Sequence, residues 1–578
     1  MTETRRPLAS LDVIIVAVVG LVFLAGFVAY MWKLHPLAAF MDTLRYLGYY
    51  DDSISGRHSI WLTWNQGQHR GLLMQALVYL NARFFHFSIF GCTMLSGAFI
   101  GLTGFAICLE MARSDMSRMM LTVLSVLTFS ALFSLSNWEL YSLDIGAALF
   151  AKNLSFLLYW IALDRAIRMR SRHALALCIV TAPLIVLLVA YGWSYAFVGA
   201  SIFVALAAAW KTAEMRRVSL ICAALIASMV LYVSFGASFP ATRLAPEASA
   251  TATNLWHLVS GTVLAVASIF ISRESITVYG IPFPLLTLAG VTMLAAACYV
   301  LLGNLVIRRR DSIVPSSLIV YGLLDAASVA IARGMLDPQQ AMASRYFEDL
   351  SLLIVGVAWS VALLARDVPV QRPAAVVTAA LAVLFFVGQG ATVVDEWNKV
   401  PYRHDSFARM AAVTVIGPKT LDDASLLQQP LDLAVRASAI QKKYDLGPFR
   451  HIDCETGPVI AGAGWYANDG SGSSWMGQSA SVVLRNCGSA VHVRAYLPET
   501  FPGRAATLAI DGKRVRSFDI IPGHVEDLVV PAASTNRYVT IEITVDRTTV
   551  PAKAIPNSQD GRELGLLVSN VRSTSQVP

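Results

Sequence analysis

The chain has 578 residues, of which 56% are hydrophobic and only 14% charged, with a formal net charge of +7. A soluble domain carries about 25% charged residues, so the composition excludes a purely soluble chain, and the length is too great for one core. The basic residues sit beside apolar runs, with no Arg/Lys stripe interleaved with aromatics, which sets nucleic-acid binding aside.

In chain order, Arg5 and Arg6 precede the apolar run Leu11–Met31 and no small-residue cleavage site follows. That run is expected to be an anchor with a cytoplasmic N-terminus. Further spans are predicted at Ile89–Met111, Met119–Ser136, Ile145–Leu163, Ala174–Ala190, Tyr195–Trp210, Val218–Gly236, Pro282–Gly303, Pro315–Ala332, Phe347–Ala365 and Ala374–Val394. The total is about eleven spans of membrane-crossing length. Leu255–Ser272 is also apolar, and is read as a re-entrant or interfacial helix. With that reading the basic clusters Arg113/Arg118, Arg165–Arg172, Lys211–Arg217, Arg308–Arg310 and Arg366/Arg372 all fall on the cytoplasmic side. The loops Trp32–Ser88, Asn137–Asp144, Ala237–Ile281 and Arg333–Tyr346 then share the opposite side with everything after Val394.

The expected fold is a polytopic α-helical membrane protein with a C-terminal soluble β-sandwich. Residues 1–394 form the membrane domain, 395–448 a helical linker, and 449–578 the sandwich. The alternating runs Ser481–Arg485, Val491–Tyr496 and Tyr538–Val545, separated by Gly/Pro/Asp turns, carry the sandwich expectation. Cys92, Cys108, Cys178, Cys222 and Cys298 lie in apolar runs and read as small core residues. Cys454 and Cys487, both in the soluble part, are expected to pair as a disulfide.

The loop after the first span holds Asp42, Arg45, Asp51, Asp52 and the run Trp64–Arg70, which includes His69 and Arg70. A carboxylate, a histidine and arginines at a membrane surface suit a substrate with an anionic headgroup and a hydroxyl to be deprotonated. Arginine binds phosphate through a planar fork of donors, and the carboxylate would be a general base. From the residues alone Asp42 reads more readily as a cap of the helix Thr43–Tyr50 and Asp51 and Asp52 as turn residues, while Arg70 also fits a snorkelling side chain. Glu139 and Asp144 lie in the turn between two spans, either solvated or functional. Lys152, inside a span, either snorkels or faces a cavity to offset a phosphate charge. Arg333 and Arg345 lie on the non-cytoplasmic side, where the positive-inside bias does not account for them, so Arg345 is the leading anion-binding candidate; Tyr346 reads as an interface-belt residue. No nucleophile elbow, phosphate-binding Walker loop or zinc-protease motif occurs, and the Gly-rich Gly462–Gly477 reads as a sandwich loop.

Several of these passages resemble the GT-C superfamily of integral-membrane glycosyltransferases, which use polyprenyl-phosphate-linked sugars. They are Asp42, Trp64–Arg70 (similar to W-x-x-H-N-E-H-R), Asn137-Trp138-Glu139, Ala343-Ser344-Arg345-Tyr346, Gly464-Trp465-Tyr466 and Asp560–Leu566. The resemblance implies an inverting transfer at a bacterial inner membrane, from a polyprenyl-phosphate carrier to an envelope glycan, lipid or protein on the periplasmic side. It gives Asp42 the role of catalytic base and Arg345 that of phosphate holder, with His69, Arg70 and Arg333 around the donor; Glu139, Asp144, Asp51 and Asp52 are further acidic candidates. Gly67 and Gln68 depart from the pattern, which has His/Asn and Glu there. No cofactor is implied, and a divalent metal is left open because carboxylates are present without a compelling cluster. Two other readings compete: a transporter or flippase of lipid-linked glycans, and a glycan-binding membrane protein using Trp465 and Trp475. The absence of an internal repeat and the loop position of the polar candidates weigh against the transporter. The number of spans weighs against a mere tether.

Overall fold

Inside lipid every backbone polar group must be satisfied within its own segment, which leaves helices for the apolar runs. The computed structural model describes the chain except residues 1–8, 58–63, 67–68, 115, 213, 238–254, 307–311, 335–336, 368–371, 457–463, 467–472, 533, 535 and 575–578. Its helices run α1 (Ser10–Leu34), α2 (Asp42–Ile54), α3 (Leu73–Phe85), α4 (Ile89–Ala112), α5 (Arg118–Leu132), α6 (Trp138–Tyr141), α7 (Gly146–Ile167), α8 (Arg172–Leu184) and α9 (Ser194–Thr212). They continue with α10 (Met215–Ala237), α11 (Leu255–Ala267), α12 (Arg273–Tyr279), α13 (Phe283–Val306), α14 (Val314–Val329), α15 (Phe347–Asp367), α16 (Arg372–Ile416), α17 (Leu421–Leu426) and α18 (Leu431–Tyr444). Among the described residues, eleven helical stretches are long and apolar enough to cross a membrane. The protein is a polytopic helical membrane protein with a C-terminal region of antiparallel sheets. Helix α11, with 13 residues, is about 20 Å long and does not reach across a hydrocarbon core of about 30 Å.

The chain divides into two compact units: Met1–Lys33, Asp52–Tyr79 and Phe90–Val400 form one, and Leu34–Asp51, Leu80–Ile89 and Pro401–Pro578 the other. Within the first, side-chain contacts sort the helix ends onto two faces. On one, Arg118 pairs with Asp12, Arg113 and Arg165 with Glu110, and Arg168 with Asp164, whose carboxylate also accepts from the Ile313 amide. At the other ends of these helices, Trp138 meets Glu274 and Glu139 meets Arg345. Cys92, Cys108, Cys178 and Cys222 are buried, whereas Cys298 is exposed on α13. That corrects the core reading for Cys298: apolar neighbours in a span do not decide which face a residue occupies when lipid is the outer solvent.

The break between α11 and α12 is braced by α16. Gln389 donates to the carbonyls of Ile269 at 2.9 Å and Phe270 at 3.4 Å and also bonds Ser134, and the Thr392 hydroxyl accepts from the Ser272 amide. These bonds satisfy backbone groups that a continuous helix would have paired internally.

In the second unit β3 (Glu455–Thr456), β11 (Leu567–Thr574), β6 (Ala490–Tyr496) and β9 (Val525–Pro531) form one antiparallel sheet, with β4 (Ser474–Trp475) also paired to β11. The other sheet has the order β5 (Ser479–Arg485), β10 (Tyr538–Val545), β7 (Arg504–Ile510), β8 (Lys513–Ile520). The two remaining strands, β1 (Asn65–Gln66) and β2 (His69–Arg70), make a small hairpin in the first unit. Strand β7 buries every second residue, the pattern of a half-buried strand. Val482, Val493, Leu508, Leu528, Ile541 and Val571 from the two sheets share one core, making a β-sandwich. Cys454 and Cys487 are bonded, with Cα atoms 5.5 Å apart. Asp445 receives Arg537 at 2.6 Å and the Tyr538 hydroxyl, while Lys419 reaches Glu542 at 3.0 Å, fastening the helices after Ile416 to the sandwich. Burial beside that carboxylate pushes the Tyr538 phenol up to about 12.

Candidate functional site

In the first unit the face opposite Arg118 is built from turns that follow directly from the sequence. Helix α5 ends at Leu132, the Ser134 hydroxyl just beyond it accepts from the Ser136 amide, and the chain turns through Asn137 into the four-residue α6. A Cβ on Gly146 would collide with the Leu140 carbonyl oxygen, so only glycine lets this turn sit on the head of α7. Glu139 projects from the turn. Its carboxylate accepts the Ser344 hydroxyl at 2.6 Å and lies 3.6 Å from the Arg345 guanidinium. Arg345 stays 34% exposed while Glu139 is nearly covered. An accessible guanidinium held in place by a carboxylate can exchange that carboxylate for an incoming anion, or share its donors between the two. Trp138 donates its indole N–H to Glu274 at 3.1 and 3.2 Å, and Arg333 bonds the Tyr346 hydroxyl at 2.9 Å. Asp144 is 1% exposed and accepts from the Ile145 amide. The turn's acidic residues are therefore not simply solvated.

Beneath these turns lies a cluster of ionisable groups. The Lys152 ammonium, fully buried, is 3.1 Å from Glu348 Oε1 and 2.9 and 2.8 Å from the two Asp349 oxygens. The Tyr321 hydroxyl donates to Asp349 at 2.6 Å, and the Trp193 ring lies 3.9 Å from the Lys152 nitrogen. Asp325, one turn along α14 from Tyr321, is also buried, and its Oδ2 and Glu348 Oε2 have no hydrogen-bond partner among the described residues. Lys152 therefore neither snorkels nor faces open space. It is enclosed by carboxylates, because a lone ammonium six residues inside a helix end costs too much to bury without partners.

The remaining sequence candidates separate. Arg70 donates to the Tyr232 carbonyl at 3.0 Å and stacks on the Tyr232 ring, so it is held against the last turns of α10. His69 pairs its backbone with Gln66, and its side chain, like Gly67 and Gln68, lies outside the described residues. Asp52 pairs with Arg57 at 2.8 Å. In the second unit Asp42 opens α2 with its side chain 56% exposed and 3.7 Å from Arg45. Helix α2 continues to Ile54, so Asp51 and Asp52 are helical rather than turn residues. Asp51 is buried and accepts Lys443 and the Tyr444 hydroxyl at 2.9 Å each, which locks α2 to α18. Trp465 is buried with its N–H on the Ser481 carbonyl, and Trp475 packs on Phe501, so both are core tryptophans. Of the Gly462–Gly477 passage, residues 462–463 and 467–472 lie outside the described residues, while Ser474–Trp475 form strand β4 rather than loop, because they pair with β11. Among the described residues, no group of three or more His, Cys, Asp or Glu side chains is arranged to hold a metal.

Comparison with models of protein families, with curated proteins and with solved structures returns no match. The reading therefore rests on this chain's own residues. Sequence reasoning passed over Glu274, Tyr321, Asp325, Glu348 and Asp349. The signal was present: Glu348 and Asp349 stand side by side at the head of an apolar run and Asp325 stands within another. The cost of an ionisable residue in a span applies to them as it does to Lys152.

Proposed function

We propose that this protein is a glycosyltransferase acting at the membrane surface on a sugar carried by a polyprenyl phosphate, with Arg345 receiving the phosphate. The observation that supports this best is the Arg345–Glu139 pair: a partly exposed guanidinium, oriented by a carboxylate and by the Tyr346 ring 5.5 Å away. In the transfer, the bond between the anomeric carbon and the phosphate oxygen breaks and the phosphate leaves with the electron pair. Arg345 offsets the charge that develops there. The acceptor oxygen bonds to the anomeric carbon, and its proton goes to a carboxylate base, the role proposed for the exposed Asp42. The arginines of the opposite face, including Arg113, Arg118, Arg165 and Arg168, fit the cytoplasmic side by the positive-inside bias. On that assignment the Arg345 face looks outward, toward the periplasm of a bacterial inner membrane, and the acceptor is an envelope glycan, lipid or protein.

A transporter of lipid-linked glycans is the second reading. It is favoured by the intramembrane cluster around Lys152, because buried ionisable groups in spans are a mark of substrate and ion pathways. Proteoliposomes loaded with polyprenyl-phosphate-linked sugar separate the two. A transferase releases free polyprenyl phosphate when acceptor is added, and Arg345→Ala loses that release. Translocation of intact lipid-linked sugar without bond cleavage would overturn the transferase reading.

A further inference from the structure

The turn carrying Glu139 and the turn carrying Arg345 belong to segments more than 200 positions apart in sequence, as the Ser344–Glu139 separation of 205 records. Two ties between them are the Ser344 hydroxyl and the Arg345 guanidinium on the Glu139 carboxylate, and an anion entering at Arg345 would compete with that carboxylate for the guanidinium. While Arg345 changes partner, the register of the two turns rests on the Ser344 hydroxyl and on a deeper tie that does not involve Arg345. Lys152 supplies it. The Glu139 turn is seated on α7 through the Gly146 approach, and Lys152 lies six residues below, about 9 Å along the helix. From there its ammonium binds Glu348 and Asp349, three and four residues beyond Arg345, in the first turn of α15. Four features make this contact stiff. The nitrogen is fully buried, both carboxylates are covered, Tyr321 holds Asp349 from α14, and the Trp193 ring closes the remaining side. Buried this deeply, such a pair is costly to break, because either partner alone is an uncompensated buried charge.

We infer that Lys152 is the positioning residue of this face: by binding Glu348 and Asp349 it fixes the Arg345 turn that leads into α15 against the Glu139 turn that leads into α7. Lys152 touches no substrate in this role. Its consequence for anion binding rests on the phosphate reading of Arg345, whereas its consequence for the two turns does not.

The experiment uses the full chain in nanodiscs and has two readouts. The first is hydrogen–deuterium exchange without ligand. Lys152→Met speeds exchange of residues 137–142 and 344–349 by about tenfold or more, Lys152→Arg restores most of the protection, and the sandwich strands exchange as in the unaltered chain. Asp349→Asn, which leaves the ammonium paired with Glu348, gives a smaller change in the same two segments and carries the test where Lys152→Met fails to fold. Unaltered exchange in both segments overturns the inference. The second readout is affinity for a polyprenyl monophosphate. Lys152→Met weakens binding about tenfold in the unaltered background but less than about twofold in an Arg345→Ala background. Equal weakening in both backgrounds overturns the inference, because Lys152 would then act elsewhere. Equal binding by the unaltered chain and Arg345→Ala removes the phosphate reading of Arg345, and the exchange result then decides the positioning role by itself.

Discussion

Single side chains here act through the partners the fold gives them. Asp511 accepts from the Thr540 amide and from Ser534 and Asn536, which hold its carboxyl below the usual carboxylate range against the opposing effect of desolvation. A lowered native value means stability that is present above the ordinary carboxylate range and lost as pH falls through the native value. Lys443, bonded to Tyr444 and Asp51, is shifted the other way, so its contribution is present below the ordinary lysine range and lost as pH rises past its native value. Melting of the C-terminal unit in the full chain is therefore expected to hold between these limits and fall on both sides. Asp511→Asn should lower stability by about 1 kcal/mol and flatten the acid limb in chemical denaturation followed across pH. An unchanged acid limb would remove Asp511 from that account. Lys152 shows the same dependence on partners inside the membrane, where three carboxyl groups and one ammonium share a covered space. Its oddity was legible in the sequence. Its partners were not, because Glu348 and Asp349 lie 196 and 197 positions away and only helix packing brings them together.

At the scale of elements, the broken helix between α11 and α12 depends on a helix far along the chain. Gly388 lies so close to the Phe270 carbonyl that a Cβ there would collide with it, and Gln389 next to it donates to Ile269 and Phe270. Gln389→Leu leaves those carbonyls and Ser134 without their partner, at a cost of about 2 kcal/mol. The expected outcome is a lower melting temperature in nanodiscs together with faster proteolysis near residues 268–272; protection equal to the unaltered chain there would contradict the bracing role. The apolar runs were legible because a span is a property of about 20 residues summed, which tolerates a misplaced end. The ends themselves were not. Helix α16 continues from the last apolar run through Asp395 and Pro401 to Ile416, because propensity and packing carry a helix on after hydropathy stops. Helix α2 absorbs Asp51 for a similar reason: its partners Lys443 and Tyr444, 392 and 393 positions away, are invisible to local turn signals.

For the whole molecule, the proposed orientation, in which each of the eleven apolar stretches among the described residues crosses the membrane, puts Ser171 and Asn536 on opposite sides. Single cysteines introduced into a cysteine-free, membrane-embedded chain test this. Ser171→Cys should react with an impermeant thiol reagent only from the cytoplasmic side, and Asn536→Cys only from the other. Labelling of both from one side would contradict the assigned orientation. The sandwich was legible in outline from alternating runs, and its two-sheet order was not, since β10 lies between β5 and β7 and β6 between β11 and β9. The site was legible in part. Arg345 and Glu139 were picked out separately, by side of the membrane and by rim position, and their pairing emerged only in the fold.

The central claim is that this chain transfers a sugar, with Arg345 at the phosphate and Asp42 as base. The most direct measurement is the envelope glycan and glycolipid profile of cells carrying Arg345→Ala or Asp42→Asn, beside the unaltered chain and a deletion, with membrane levels matched. The account predicts that both variants and the deletion lose the same sugar and accumulate its lipid-linked donor. A deletion that changes the profile while both variants keep the normal one would contradict it.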